Sequence, residues 1–166
     1  MYKIAVFLTH AHYDHFITLT DALNKYNVNC YMHQKGFEKL TNLVSSCAFF
    51  FGVKNLKEVS KEKITFVKDN QVLELSPNLK IKVITTPGHT DCSVVYQIED
   101  VMFTGDTLFN NGVGRTDLPS SNIITLINSL KKLLDNKKQA IIYPGHGWES
   151  SLEDELHQND FYKRTK

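Results

Sequence analysis

Six residues, His10-Ala11-His12-Tyr13-Asp14-His15, place three imidazoles and a carboxylate directly after the apolar run Lys3–Thr9 (KIAVFLT). The run is continuous and partly β-branched, so it reads as a buried strand in a sheet covered on both faces. Successive side chains of an extended chain point to opposite sides, so His10 and His12 share a side and two imidazoles can reach one metal ion. The chain must then turn into a helix, and that turn can aim Asp14 and His15 at a neighbouring point, within reach of a second ion. Solvated surface histidines would not need to be this dense.

Three later segments repeat the pattern of strand, sharp turn, then ligand-type residue. They are Thr86-Pro87-Gly88-His89-Thr90, Thr104-Gly105-Asp106-Thr107 and Tyr143-Pro144-Gly145-His146-Gly147. Glycine and proline set the turns, so the next side chain can face a cleft at one edge of the sheets. A single Pro-Gly-His is usually only a turn; four segments built alike support one another.

Between these motifs the spacing of apolar residues predicts helices over about 15–27, 34–44 and 120–136. It predicts strands over 29–33, 64–67, 71–75, 79–85, 93–98, 101–104 and 139–143. Asp69-Asn70 favours a tight hairpin between the strands at 64–67 and 71–75, because both residues tolerate positive φ. Ser151 with Asp154 has the form of a capping box opening a last short helix. Phe49-Phe50-Phe51 could be core or a wall of the site, and core is the expectation. Tyr143 and Trp148, which flank His146, could wall the cleft, and packing is the expectation. The order of elements is that of one α/β domain over residues 1–166.

Composition narrows the function. Hydrophobic residues make up 42% of the 166 and charged residues 22%, as in ordinary globular proteins. A net charge of +1 gives no electrostatic reason to expect nucleic acid or an acidic membrane as partner. No apolar run approaches the ~18 residues of a membrane span, and no secretory signal is evident, so a cytoplasmic location is expected. Three cysteines without a CxxC pair argue against a disulfide framework. His33 and His157 lie outside the motifs and are expected in structural or surface roles.

HAHYDH, PGHT, GDTLF and PGHG, in this order, resemble the metallo-β-lactamase superfamily, and within it the glyoxalase II-like hydrolases. The likeness runs from about Ile4 to Phe161. PGHTDCSVVY and the stretch GDTLF-x-x-GVGRTDLP carry it further. The resemblance implies an αββα sandwich with a dinuclear metal site at its edge. It implies that His10, His12 and His89 bind one ion, that Asp14, His15 and His146 bind the other, and that Asp106 bridges them. The cofactors would be two divalent ions: zinc first, with iron or manganese also suited to mixed histidine and carboxylate ligands.

Two such ions can lower the pKa of a shared water from about 15.7 to roughly 7. The expected reaction is attack of the resulting hydroxide on a small thioester, S-lactoylglutathione or another acyl thiol. Asp14 would orient the hydroxide and handle its proton, and Asp106 would set the spacing between the ions. In the glycine-rich loop, Arg115 could clamp a substrate carboxylate, or pair with Asp117 and only hold the loop. Asn111 is a further candidate substrate contact.

The chain departs from the family pattern at both ends. The first ligand arrives at residue 10, so the first β-strands usual in the family are expected to be lacking. The sheet edge thereby exposed would favour a homodimer. Only 20 residues follow His146, too few for the C-terminal helical substrate domain of long glyoxalase II enzymes. Two alternatives stand beside the hydrolase. One is a persulfide dioxygenase with one iron on His10, His89 and Asp106. The other is a metal-binding or interaction protein with impaired catalysis.

Overall fold

The computed structural model describes residues 4–135 and 139–165. Lys3 and Asn136, at the ends of two expected elements, lie outside them. Two sheets form the centre. The first is parallel, in the order β1 (Val6–Phe7), β2 (Cys30–His33), β3 (Ile64–Val67). The second runs in chain order through β4 (Val72–Ser76), β5 (Leu79–Thr85), β6 (Val94–Ile98), β7 (Val101–Gly105), β8 (Ile141–Pro144) and β9 (Ser150–Ser151). Its pairs are antiparallel except β7–β8, which the helix α3 (Ile123–Leu134) connects as a parallel crossover.

Three clusters of buried residues fix the layers. Leu8, Phe16, Leu19, Leu23, Cys30 and Met32 join the first sheet to α1 (Tyr13–Phe16) and α2 (Leu19–Tyr26). Val67, Leu73, Ile81, Val83, Val94 and Tyr96 fill the space between the sheets. Ile84, Val95, Met102 and Ile142 meet Leu126, Leu130 and Leu133 of α3, with Leu152 and Tyr162 from α4 (Leu152–Gln158) and α5 (Asp160–Lys163). Helix, sheet, sheet, helix is the αββα sandwich that the resemblance implied.

The capping box is present: Ser151 Oγ accepts from Asp154 N at 3.0 Å and donates to Asp154 Oδ2 at 2.7 Å. Several expected elements are remade by packing. The helix over 15–27 is two helices broken at Ile17–Thr18, so that its first turn stands at the sheet edge. The helix over 34–44 is instead two 3₁₀ turns, Gln34–Gly36 and Glu38–Thr41. Phe37 and Leu40 are three apart, the spacing that eclipses in a 3₁₀ turn.

The hairpin at Asp69-Asn70 does not form. β3 pairs with β2, whereas β4 pairs with β5, so the turn passes the chain from one sheet to the other. Val67 and Leu73 thereby both bury between the sheets. Asn70 does take positive φ (58°), and Asp69 Oδ1 accepts from Thr85 N and from Lys132 Nζ, both at 2.7 Å. That pins the turn to the end of β5.

Among the described residues the first sheet has three strands against six in the second, and β1 is its short outer strand. Phe103 and Tyr143 stack at 5.9 Å on the inner face of β7 and β8, yet stay 43% and 44% exposed. With Phe7, Ile81 and Tyr96 they line a cavity of about 530 Å³ between the sheets. Among the described residues no helix is long and apolar enough to cross a membrane.

Leu130 is fully buried between α3 and the second sheet. Leu130→Ala should therefore cost about 2–5 kcal/mol in urea unfolding, with an unchanged m-value. A cost below about 1 kcal/mol would contradict this packing.

Candidate metal centre

Five of the seven ligand-type side chains stand just beyond the end of a strand, and Asp14 and His15 lie on α1. His10 and His12 follow β1, His89 follows β5, Asp106 follows β7 and His146 follows β8. The ends are tied together by backbone bonds. Val94 N donates to the Thr9 carbonyl at 2.8 Å, joining the two sheets, and Gly145 N donates to the Gly105 carbonyl at 2.9 Å. Ser129 of α3 holds the Pro-Gly-His turn through the Pro87 carbonyl, at 2.6 Å. The structure brings all seven predicted residues into one cluster.

Two groups of donor atoms converge. His12 Nδ1 lies 2.9 Å from His89 Nε2, and His10 offers a third nitrogen within 4.8 Å of both partners' ligand atoms. On the other side His146 Nε2 lies 3.2 Å from His15 Nε2 and 3.2 Å from Asp14 Oδ2. Asp106 sits between: its Oδ2 is 3.5 Å from His89 Nε2, 3.6 Å from His146 Nε2 and 4.0 Å from His10 Nε2, and its Oδ1 is 3.3 Å from His15 Nε2.

The electrostatics suit cation binding. Burial, reinforced by His15, pushes the His10 imidazole well below its ordinary value, and burial with His89 lowers His12 to about 4. Burial lowers His89 as well. These three rings are therefore neutral at neutral pH, the form that ligates a metal. For His15 burial works in the same direction, but the hydrogen bond and charge of Asp106 outweigh it and raise the pKa. The same contact holds the Asp106 carboxyl below its usual range against the cost of burial.

Two observations test whether the residues fit a metal. His10 Nε2 is buried and has no hydrogen-bond partner among the described residues. Orphaned buried polar atoms are rare, and an ion would satisfy this one. The glycines also leave no spare room: a Cβ on Gly114 would lie 2.0 Å from the Asp106 carbonyl oxygen and 2.7 Å from His89 Nδ1. A Cβ on Gly145 would lie 2.3 Å from Asp106 Oδ1. Both positions let backbone press the ligands together.

Some contributors were not evident from the motifs. His89 Nδ1 donates to the Arg115 carbonyl at 2.9 Å, which fixes the ring with Nε2 toward the cluster. The Arg115 side chain is exposed and paired in a fork with Asp117, Nε to Oδ1 at 2.9 Å and NH2 to Oδ2 at 2.8 Å. The loop-holding alternative is the geometry observed. The Asn111 side chain turns away from the cluster. Its Oδ1 accepts from Asp160 N at 3.1 Å, and it does not line the cavity over the donors.

That cavity, about 540 Å³, is walled by Phe50, Phe51, Phe109, Val113 and Leu118. The expectation of a core position for Phe49–Phe51 is thus corrected: they are 45%, 59% and 55% exposed. Their 3₁₀ turn begins after Cys47 and ends at Gly52, both at positive φ, and this tips the rings outward. Trp148 is likewise unpacked, at 81% exposure.

Comparison with known proteins agrees with this geometry. The family model described as "Metallo-beta-lactamase superfamily" matches residues 4–146. The chain is 32% identical over 161 residues to the probable metallo-hydrolase YqgX of Bacillus subtilis (strain 168), covering 95% of this chain and 75% of that protein. It is 30% identical over 157 residues to the hydroxyacylglutathione hydrolase GloC of Haemophilus influenzae, covering 93% and 73%. The protein TTHA1623, solved in a di-iron-bound form, is similar with a TM-score of 0.83 at 27% identity, over 97% of this chain and 78% of that one. With the family model spanning most of the sequence and the donor cluster in place at the sheet edge, the chain belongs to the metallo-β-lactamase superfamily of metallo-hydrolases.

Proposed function

We propose that the chain hydrolyses small acyl thioesters with two divalent ions, zinc in the first instance. The observation that carries this reading is the double convergence of donors, with Asp106 between the two groups. His10, His12 and His89 would hold one ion, Asp14, His15 and His146 the other, and Asp106 both. Bound there, the ions supply Lewis acidity to a carbonyl and make a shared water acidic near neutral pH.

The chain's own residues do the rest. Asp14, whose Oδ2 lies 3.2 Å from His146 Nε2, orients the attacking water and takes up its proton. Arg115 holds His89 in one tautomer through its carbonyl. The phenylalanine wall keeps bulk water from the acyl group. Similarity to a hydroxyacylglutathione hydrolase supports a thioester as substrate. A single-iron dioxygenase on His10, His89 and Asp106 would leave the Asp14, His15 and His146 group without a role.

Metal analysis with an acyl-thioester panel that includes S-lactoylglutathione tests the reading. About two ions per chain with turnover is expected; one iron with oxygen uptake on glutathione persulfide would overturn it. Gly114→Ala, which drives a methyl into the Asp106 carbonyl and the His89 ring, should weaken metal affinity at least about tenfold in a chelator competition.

Stability of the metal-free chain should fall as pH drops from 7 to 5. The unfolded chain takes up protons near 6.5 that His10, His12 and His89 refuse when folded, and His12 alone accounts for on the order of 2 kcal/mol. His15, whose pKa is raised, acts in the opposite sense and offsets part of this. Urea unfolding midpoints that rise on acidification would refute the assignment of neutral rings.

A further inference from the structure

The cavity over the donor cluster has features that a metal site alone does not require. Its floor is His12, Asp14, His89, Asp106 and His146, while its walls are almost wholly apolar. Phe50, Phe51, Phe109, Val113 and Leu118 make up the apolar lining. The aromatic turn is held in place. Tyr13 N donates to the Ser46 carbonyl at 2.8 Å, and the Phe51 ring lies 5.6 Å from that of Tyr13, the residue before Asp14. The apolar wall is thus fixed to the ligand segment itself. Exposed phenylalanines beside a polar floor cost hydration free energy, which contact with an apolar ligand would recover.

Charge points the same way. Among the described residues lining the cavity, Arg115 is the one lysine or arginine, and its guanidinium is already engaged by both oxygens of Asp117. Nothing else in that lining offers a lysine or arginine to a carboxylate on the substrate. A carboxylate-bearing thiol carrier would be desolvated there without a partner.

Building on the thioester reading above, we propose that Phe50 and Phe51 determine specificity and that the preferred substrates carry an uncharged linear acyl chain of short to medium length. The volume of about 540 Å³ lies within the usual range for small-molecule sites. Each methylene that leaves water against this wall should add about three- to fourfold in affinity until the cavity is full.

Calorimetric titration of the zinc-loaded chain with butanoate, hexanoate and octanoate tests this without relying on turnover. Affinity should rise about threefold or more per methylene, and hexanoate should bind at least about tenfold tighter than its dicarboxylate analogue adipate. The double variant Phe50→Ser/Phe51→Ser, at two exposed positions, should flatten the chain-length dependence while its thermal unfolding stays near that of the parent. A flat series in the parent chain, no binding at any length, or equal affinity for adipate overturns the proposal. Parallel assays on acyl thioesters of an uncharged thiol separate the two readings. Chain-length-dependent binding without turnover refutes the hydrolase and keeps the apolar site. Turnover without chain-length dependence does the reverse.

Discussion

The Asp106 carboxylate is the point on which the site depends. It is buried, it reaches four imidazoles within 4.0 Å, and it comes from the second sheet, whereas His10 and His15 come from the segment that leaves the first. A buried anion is tolerable only when partnered. Burial keeps two of these partners, His10 and His89, neutral, whereas the carboxylate itself draws His15 toward the charged form. Such an arrangement needs the two sheets held in fixed relation, and the Val94–Thr9 bond joins them one residue before the first ligand.

The sandwich serves that requirement. Parallel pairing in the first sheet and the β7–α3–β8 crossover in the second bring ligand-bearing ends to one edge. The helices press on the outer faces and hold the turns, as Ser129 does for Pro87. Glycine then does what no other residue could at positions 114 and 145, where a single methyl would overlap the ligands.

Much of the fold was legible in the sequence, because burial in a strand or helix imposes a period. The strands from β5 to β8 and the helix α3 follow that period closely. Elsewhere tertiary contacts override local pattern. The Asp69-Asn70 turn has the residues of a hairpin, yet the strands on either side bury into the same interlayer and must belong to different sheets. Phe49–Phe51 has the composition of a core segment, but two left-handed residues flank it and turn it to the cleft. The free energy of a solvent-facing aromatic wall cannot be read from composition, since it depends on what the wall surrounds.

The sequence by itself determined which donors are available and that they fall after strand ends. Residue type and the strand-turn-ligand order are local properties, written in four short motifs. Only the tertiary structure decided how those donors share space: that Asp106 lies between two groups, that the Arg115 carbonyl orients His89, that the Arg115 guanidinium is taken by Asp117, and that Asn111 serves the helix at Asp160. Apart from the Arg115–Asp117 fork, which spans two residues, these are distances between segments far apart in the chain. They are set by sheet packing and by backbone carbonyls, and a side-chain pattern carries no record of either.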